Sequence, residues 1–140
     1  MLFRSPLEHF LRRLQRELGF QKSGVTIALV SDAEIARMNE MFRKKKGPTD
    51  VLSFSAAAHR RPRILLRATS KKKAGEFLGD IAIAPATARR YARKHGRSLP
   101  AELRVLILHG VLHLMGYDHE TDHGEMDRVE RKLRKRFGLA

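Results

Sequence analysis

Leu7, Phe10, Leu11, Leu14 and Leu18 recur every three or four residues with arginines between them, which predicts an amphipathic helix closed at Gly19. Ser5-Pro6-Leu7-Glu8 has the form of a capping box with proline at the first helical position, and it marks the predicted start. Val25 to Val30 is a short β-branched run after Gly24 and predicts a strand buried on at least one face. Ser31-Asp32-Ala33-Glu34 is a second capping box, opening a helix through Ile35, Met38, Asn39 and Phe42 that ends near the lysines before Gly47-Pro48. Asp50 to Phe54 and Gly79 to Ala84 read as two more strands, and Pro62 to Ala68 as a candidate edge strand, followed by a basic turn or loop at Ser70 to Gly75. Pro85 to Lys94 predicts a helix closed by Gly96. Ser98-Leu99-Pro100 caps the next helix, which is apolar almost all round from Leu103 to Leu108 and so belongs in the core. Thr121-Asp122, with Glu125 three residues beyond Asp122, predicts a last helix to Phe137 with Met126, Val129 and Leu133 facing inward.

The chain has 140 residues, no internal repeat and no sign of a second domain, so residues 1–140 are expected to fold around a single core. The absence of cysteine rules out a disulfide framework and suits a reducing cytoplasm. The N-terminal residues contain no apolar run long enough for a signal peptide or a membrane span, so the expected location is cytoplasmic. A formal net charge of +14 exceeds what solubility requires and points to a polyanionic partner, nucleic acid first. The charge falls in clusters: Arg12, Arg13 and Arg16; Arg43 to Lys46; Arg60 to Arg63; Lys71 to Lys73; Arg89 to Lys94; and Arg131 to Arg136. No helix joins a basic face to large exposed aromatics, which disfavours a membrane surface as the partner.

Chemistry enters at His109-Gly110-Val111-Leu112-His113-Leu114-Met115-Gly116-Tyr117-Asp118-His119. Histidines four apart on a helix share one face, so His109 and His113 can offer two imidazoles to one ion. Gly116 can take the left-handed conformation that ends a helix and turn the chain so that His119 approaches from a second direction. Three nitrogen donors and no thiolate match a catalytic zinc site, which keeps one position for water and lowers its pKa to about 7. A purely structural ion and unligated histidines are the competing readings. Asp118 is a candidate partner for an imidazole N–H, and His123 reads as a solvated side chain.

This spacing coincides with the metzincin peptidase pattern H-E-x-x-H-x-x-G-x-x-H, except that Gly110 stands where those enzymes carry their general base. The expected chemistry is metal-assisted hydrolysis by a zincin-like site on a core helix, with proteolysis disfavoured.

Taken with Thr49-Asp50-Val51-Leu52-Ser53-Phe54 and Leu78-Gly79-Asp80-Ile81, the histidine run resembles the YbeY family of bacterial endoribonucleases and ribosomal RNA maturation factors, over most of the chain. Ser55 stands where that family commonly has proline, and residues 59 to 75 are unusually basic. The resemblance implies an α+β fold, with a small mixed sheet, expected to be four-stranded, and about five helices around it. It also implies one zinc ion on His109, His113 and His119, and an active role for Arg43, which follows Asn39 and Phe42. The implied activity is cleavage of single-stranded RNA in maturing the 16S ribosomal RNA 3′ end and in ribosome quality control. Ribosomal RNA and the small subunit are the expected partners, with no DNA and no membrane. A zincin-type metallopeptidase and a non-catalytic ribosome-binding factor with a structural metal remain as alternatives.

Overall fold

The computed structural model describes residues 4–20, 22–56, 77–118 and 122–139, with only the backbone given for Arg4 and Ser5. Within these residues the elements are α1 (Arg4–Leu18), β1 (Gly24–Leu29), α2 (Asp32–Arg43), β2 (Val51–Ser55), β3 (Phe77–Ile83), α3 (Pro85–His95), α4 (Leu99–Leu114) and α5 (Glu125–Arg136). The strands are ordered β1-β3-β2, with β3 parallel to β1 and antiparallel to β2, so the sheet is mixed. It has three strands among the described residues where four were expected, and the candidate edge strand Pro62 to Ala68 lies outside them.

Side chains alternate across β3 as the pleat requires. Ile81 and Ile83 join the larger core, with Leu7, Phe10, Leu14, Leu108, Leu112 and Met126 from α1, α4 and α5. Ala82 and Ala84 join a second cluster with Ile35 and Met38 of α2 and Leu52 and Phe54 of β2. The sheet therefore lies between α2 and a layer of helices, and α4 runs through the core of that layer. Leu103, Ile107, Leu108, Val111 and Leu112 are fully buried, as an all-round apolar helix must be.

Local signals explain most helix ends. The capping box of α2 is complete: Ser31 Oγ accepts from the Glu34 N–H at 3.1 Å while the Glu34 carboxylate reaches back to the Ser31 N–H. Ser98 Oγ accepts from the Ala101 N–H at 3.3 Å and opens α4. Two expected starts are displaced. α1 already includes Arg4, which places Ser5 inside the first turn rather than at the cap. α5 begins at Glu125 behind Gly124, and Asp122 caps it from outside, its carboxylate accepting from the N–H groups of Gly124 and Met126, each at 2.9 Å.

Beyond α4 the chain turns as the glycine predicted. Gly116 sits at φ 102°, the Tyr117 N–H bonds the Leu112 carbonyl and the Gly116 N–H bonds the His113 carbonyl, each at 3.0 Å. This is a Schellman motif, and it satisfies carbonyls that the end of α4 would otherwise leave exposed.

Candidate active site

His109 and His113 leave α4 on the face turned toward a cleft of about 790 Å³. Their Nε2 atoms are 3.1 Å apart, and the rings meet edge to face with centroids 4.7 Å apart. Two imidazole nitrogens bound to one tetrahedral zinc ion would lie about 3.3 Å apart, so this pair has the spacing of ligands to a shared ion. The other nitrogen of His109 is engaged as well: Nδ1 lies 2.6 Å from Glu130 Oε1 on α5. With that carboxylate ionised, Nδ1 carries the proton and the Nε2 lone pair is directed at the shared point. Burial raises the pKa of Glu130, but the hydrogen bond and electrostatic attraction of the His109 ring N–H and the charge of Arg134 outweigh it, holding the carboxyl below its ordinary range.

The facing wall is the end of α2 and the strand that follows. Arg43 is the last residue of α2, and Lys44 takes the left-handed conformation at φ 56°, turning the chain away sharply. Three contacts fix that turn. The Lys44 N–H bonds back to the helix, the buried Asn39 amide donates to the Gly47 carbonyl at 3.0 Å, and Phe42 packs edge-on against Phe54 of β2 with centroids 5.4 Å apart. Arg43, Lys44 and Lys45 thereby line the same cleft as the two histidines. Asp50 lines it too. Burial pushes its pKa up, and the negative charge of Glu102 adds to this against opposing backbone hydrogen bonds and His109.

Gly110 lies where α4 crosses the sheet. A Cβ there would come within 2.9 Å of Ile81 Cδ1 and 3.0 Å of Ser53 Oγ, and Ser53 Oγ donates to the Gly110 carbonyl at 3.3 Å. A glutamate at this position would be driven into the strands rather than toward the cleft, so the peptidase base has no place here. The departure from the metzincin pattern thus coincides with a close approach of α4 to the sheet.

Of the expected site residues, the structure brings Arg43, His109 and His113 to one cleft, while His119 lies outside the described residues. Among the described residues no three His, Cys, Asp or Glu side chains form a metal-ligand group. Asp118 also lines the cleft, and Glu130 is a further acid that meets the His109 ring N–H. His123 is exposed as expected, but it lies just ahead of α5 rather than on that helix. Glu130 and Asp50 carry site chemistry that the sequence reading did not assign. The signal for Glu130 was an acidic residue four after Met126 and three before Leu133, on the inward stripe of the last helix.

A small α+β domain whose cleft has a convergent histidine pair on one wall and cationic side chains on the other is built to handle an anionic substrate. The family model described as Endoribonuclease YbeY matches residues 2–138, and the chain belongs to that family. A relative from Solibacter usitatus named Endoribonuclease YbeY is 41% identical over 138 residues, covering 99% of this chain and 82% of its own. Its namesake from Koribacter versatilis is 42% identical over 133 residues, covering 95% and 76% respectively. The solution structure of a Thermotoga maritima protein superimposes with a TM-score of 0.59 at 28% identity, over 95% of this chain and 80% of that one. No helix among the described residues is long and apolar enough to cross a membrane.

Proposed function

We propose that this protein is a zinc-dependent endoribonuclease that cuts single-stranded RNA in the cytoplasm, maturing the 3′ end of 16S ribosomal RNA and serving quality control on the small ribosomal subunit. The name shared by its relatives supports RNA as the substrate. The observation that carries the metal-assisted reading is the 3.1 Å approach of the His109 and His113 Nε2 atoms beside a cleft lined by Arg43. One zinc ion held by His109, His113 and His119 would supply Lewis-acid polarisation at a phosphoryl oxygen and a lowered pKa for solvent. Glu130 keeps the His109 ring oriented and its Nε2 unprotonated. Arg43 binds two phosphoryl oxygens through its planar fork and stabilises the charge that grows on them as the diester breaks. Lys44 and Lys45 hold neighbouring phosphates. Asp50, in which burial favours the protonated form, hands a proton to the departing oxygen.

Comparing Arg43→Ala with His113→Ala tests this reading. Zinc content by elemental analysis survives the first substitution and falls in the second, and cleavage of a ribosomal RNA precursor at controlled salt is lost in both. Normal cleavage by both purified variants would end the proposal.

A further inference from the structure

Away from the cleft, α1 and the end of α5 enclose a hollow of about 400 Å³ lined by Arg13, Arg16, Glu17, Arg136 and Phe137. Arg13, Arg16 and Glu17 are three and four residues apart and so share one face of α1. The Arg13 guanidinium carbon stands 5.1 Å from the centre of the Phe137 ring, and that ring is held edge-on by the buried Phe10, with centroids 5.4 Å apart. Stacking occupies the flat face of a guanidinium and leaves its edge N–H groups for an acceptor. Arg136 pairs with Glu17, the one carboxylate among these lining residues, so three cations face one anion and the hollow keeps an excess of positive charge.

We infer that this hollow is a phosphate-binding subsite that grips the RNA backbone beyond the cleft. This rests on the endoribonuclease reading above. Three guanidinium groups around a concave site match the tetrahedral oxygens of a phosphodiester, for which arginine is the preferred donor. Arg136 follows Glu130 by six residues on α5, a rise of about 9 Å along the axis with about 120° of net rotation, so a strand that reaches the hollow from the cleft passes around α5. A lipid surface fits less well, because the large apolar side chains exposed among the described residues are Met41, Tyr91 and Met115, and none belongs to α1 or α5.

The test is Arg13→Gln/Arg16→Gln, two changes at exposed positions, with Arg16→Gln alone as a variant that keeps the stack on Phe137. Binding of a single-stranded RNA of about 20 nucleotides is followed by fluorescence anisotropy from about 50 to 200 mM salt. Loss of two phosphate contacts lowers the slope of log K against log salt by about 1.4, and loss of one by about 0.7. At low salt the double variant binds the long strand about tenfold or more weakly, while its cleavage of a trinucleotide and the unfolding midpoint of Arg16→Gln match the wild type. Unchanged slope and affinity on the long strand overturn the inference. So does a loss confined to vesicles containing phosphatidylserine, which would make the ligand a lipid headgroup. If the wild type cuts no RNA but the slope still drops in the variants, the subsite stands and the nuclease reading falls.

Discussion

Replacing Gly110 by alanine sets two known effects against each other. Alanine in mid-helix gains about 1 kcal/mol over glycine through backbone entropy. Against this, the new methyl would sit 2.9 Å from Ile81 Cδ1 and 3.0 Å from Ser53 Oγ. Ile81 is fully buried on the central strand of the sheet, so its side chain has close neighbours to displace if it yields to the new methyl. Overpacking of this kind costs about 1–3 kcal/mol, and loss of the Ser53 to Gly110 hydrogen bond adds about 1 kcal/mol. The net effect is destabilisation by about 1–3 kcal/mol, which lowers the thermal midpoint by about 3–10 °C in a domain of this length. Because His109 is the neighbouring residue, zinc affinity falls with it. Urea unfolding and a zinc titration read the two consequences. A Gly110→Ala protein that is more stable by the helix-propensity increment and binds zinc as the wild type does would refute the packing account of this glycine.

Substitutions at three further positions bear on the site and its support. Glu130→Ala removes the acceptor that orients His109 and lowers zinc affinity about 10- to 100-fold in a competition titration, while Glu130→Gln, which keeps an acceptor oxygen, loses less; equal affinity in all three proteins would contradict the assigned role. Asp50→Asn raises the thermal midpoint at neutral pH and lowers cleavage. Since burial raises the Asp50 pKa in the fold, the folded chain holds that proton to higher pH than the unfolded one, and stability falls as pH rises through the window between the two values. The stability difference between wild type and Asp50→Asn therefore closes below about pH 4, and a constant difference down to that pH would exclude Asp50 as its source. Arg97→Ala leaves Glu102, 1% exposed, with the more exposed His95 as its remaining ion-pair partner among the described residues and destabilises by about 3 kcal/mol in urea; a loss below about 0.5 kcal/mol would show that the Glu102 carboxylate is solvated from elsewhere.

Sequence periodicity and capping locate all five described helices, because each is either strongly amphipathic or, as α4, long and apolar with its own cap. The start of α5 is displaced because a capping side chain can act from more than one position, and Asp122 reaches the first turn of α5 across Gly124. Strand order was not legible, since a run such as Gly79 to Ala84 reveals that it is buried but not which strands flank it. The histidine pair was legible because His109 and His113 lie on one helix, where spacing alone fixes geometry. Glu130 and Asp50 reach the site through tertiary packing, 21 residues after His109 and from a different layer respectively, and sequence spacing carries no such information. The cause of the missing peptidase glutamate was equally hidden. It depends on Ser53 and Ile81, which meet Gly110 only when the sheet is formed.

The two walls of the cleft are built to different tolerances, and this divides what their variants should do. On the histidine side, α4 is held at its start by buried Glu102, along its length by close contact with the sheet at Gly110, and at its end by the Gly116 turn. Ligand geometry requires that stiffness, because a shared ion tolerates little displacement of its donors. On the cationic side, Arg43 to Lys46 are exposed at the end of α2 and just beyond it, where Asn39 and Phe42 help to fix the turn. A polymer substrate with varying sequence and shape needs charged groups that can follow its backbone, and long side chains on an exposed turn provide that adaptability. Loosening the α4 wall should therefore appear first as lost zinc affinity at any substrate length. Loosening the α2 wall, for example by Asn39→Ala, should leave zinc affinity intact and raise KM for RNA, and a variant of Asn39 that loses zinc without a change in KM would show that the walls are not independent.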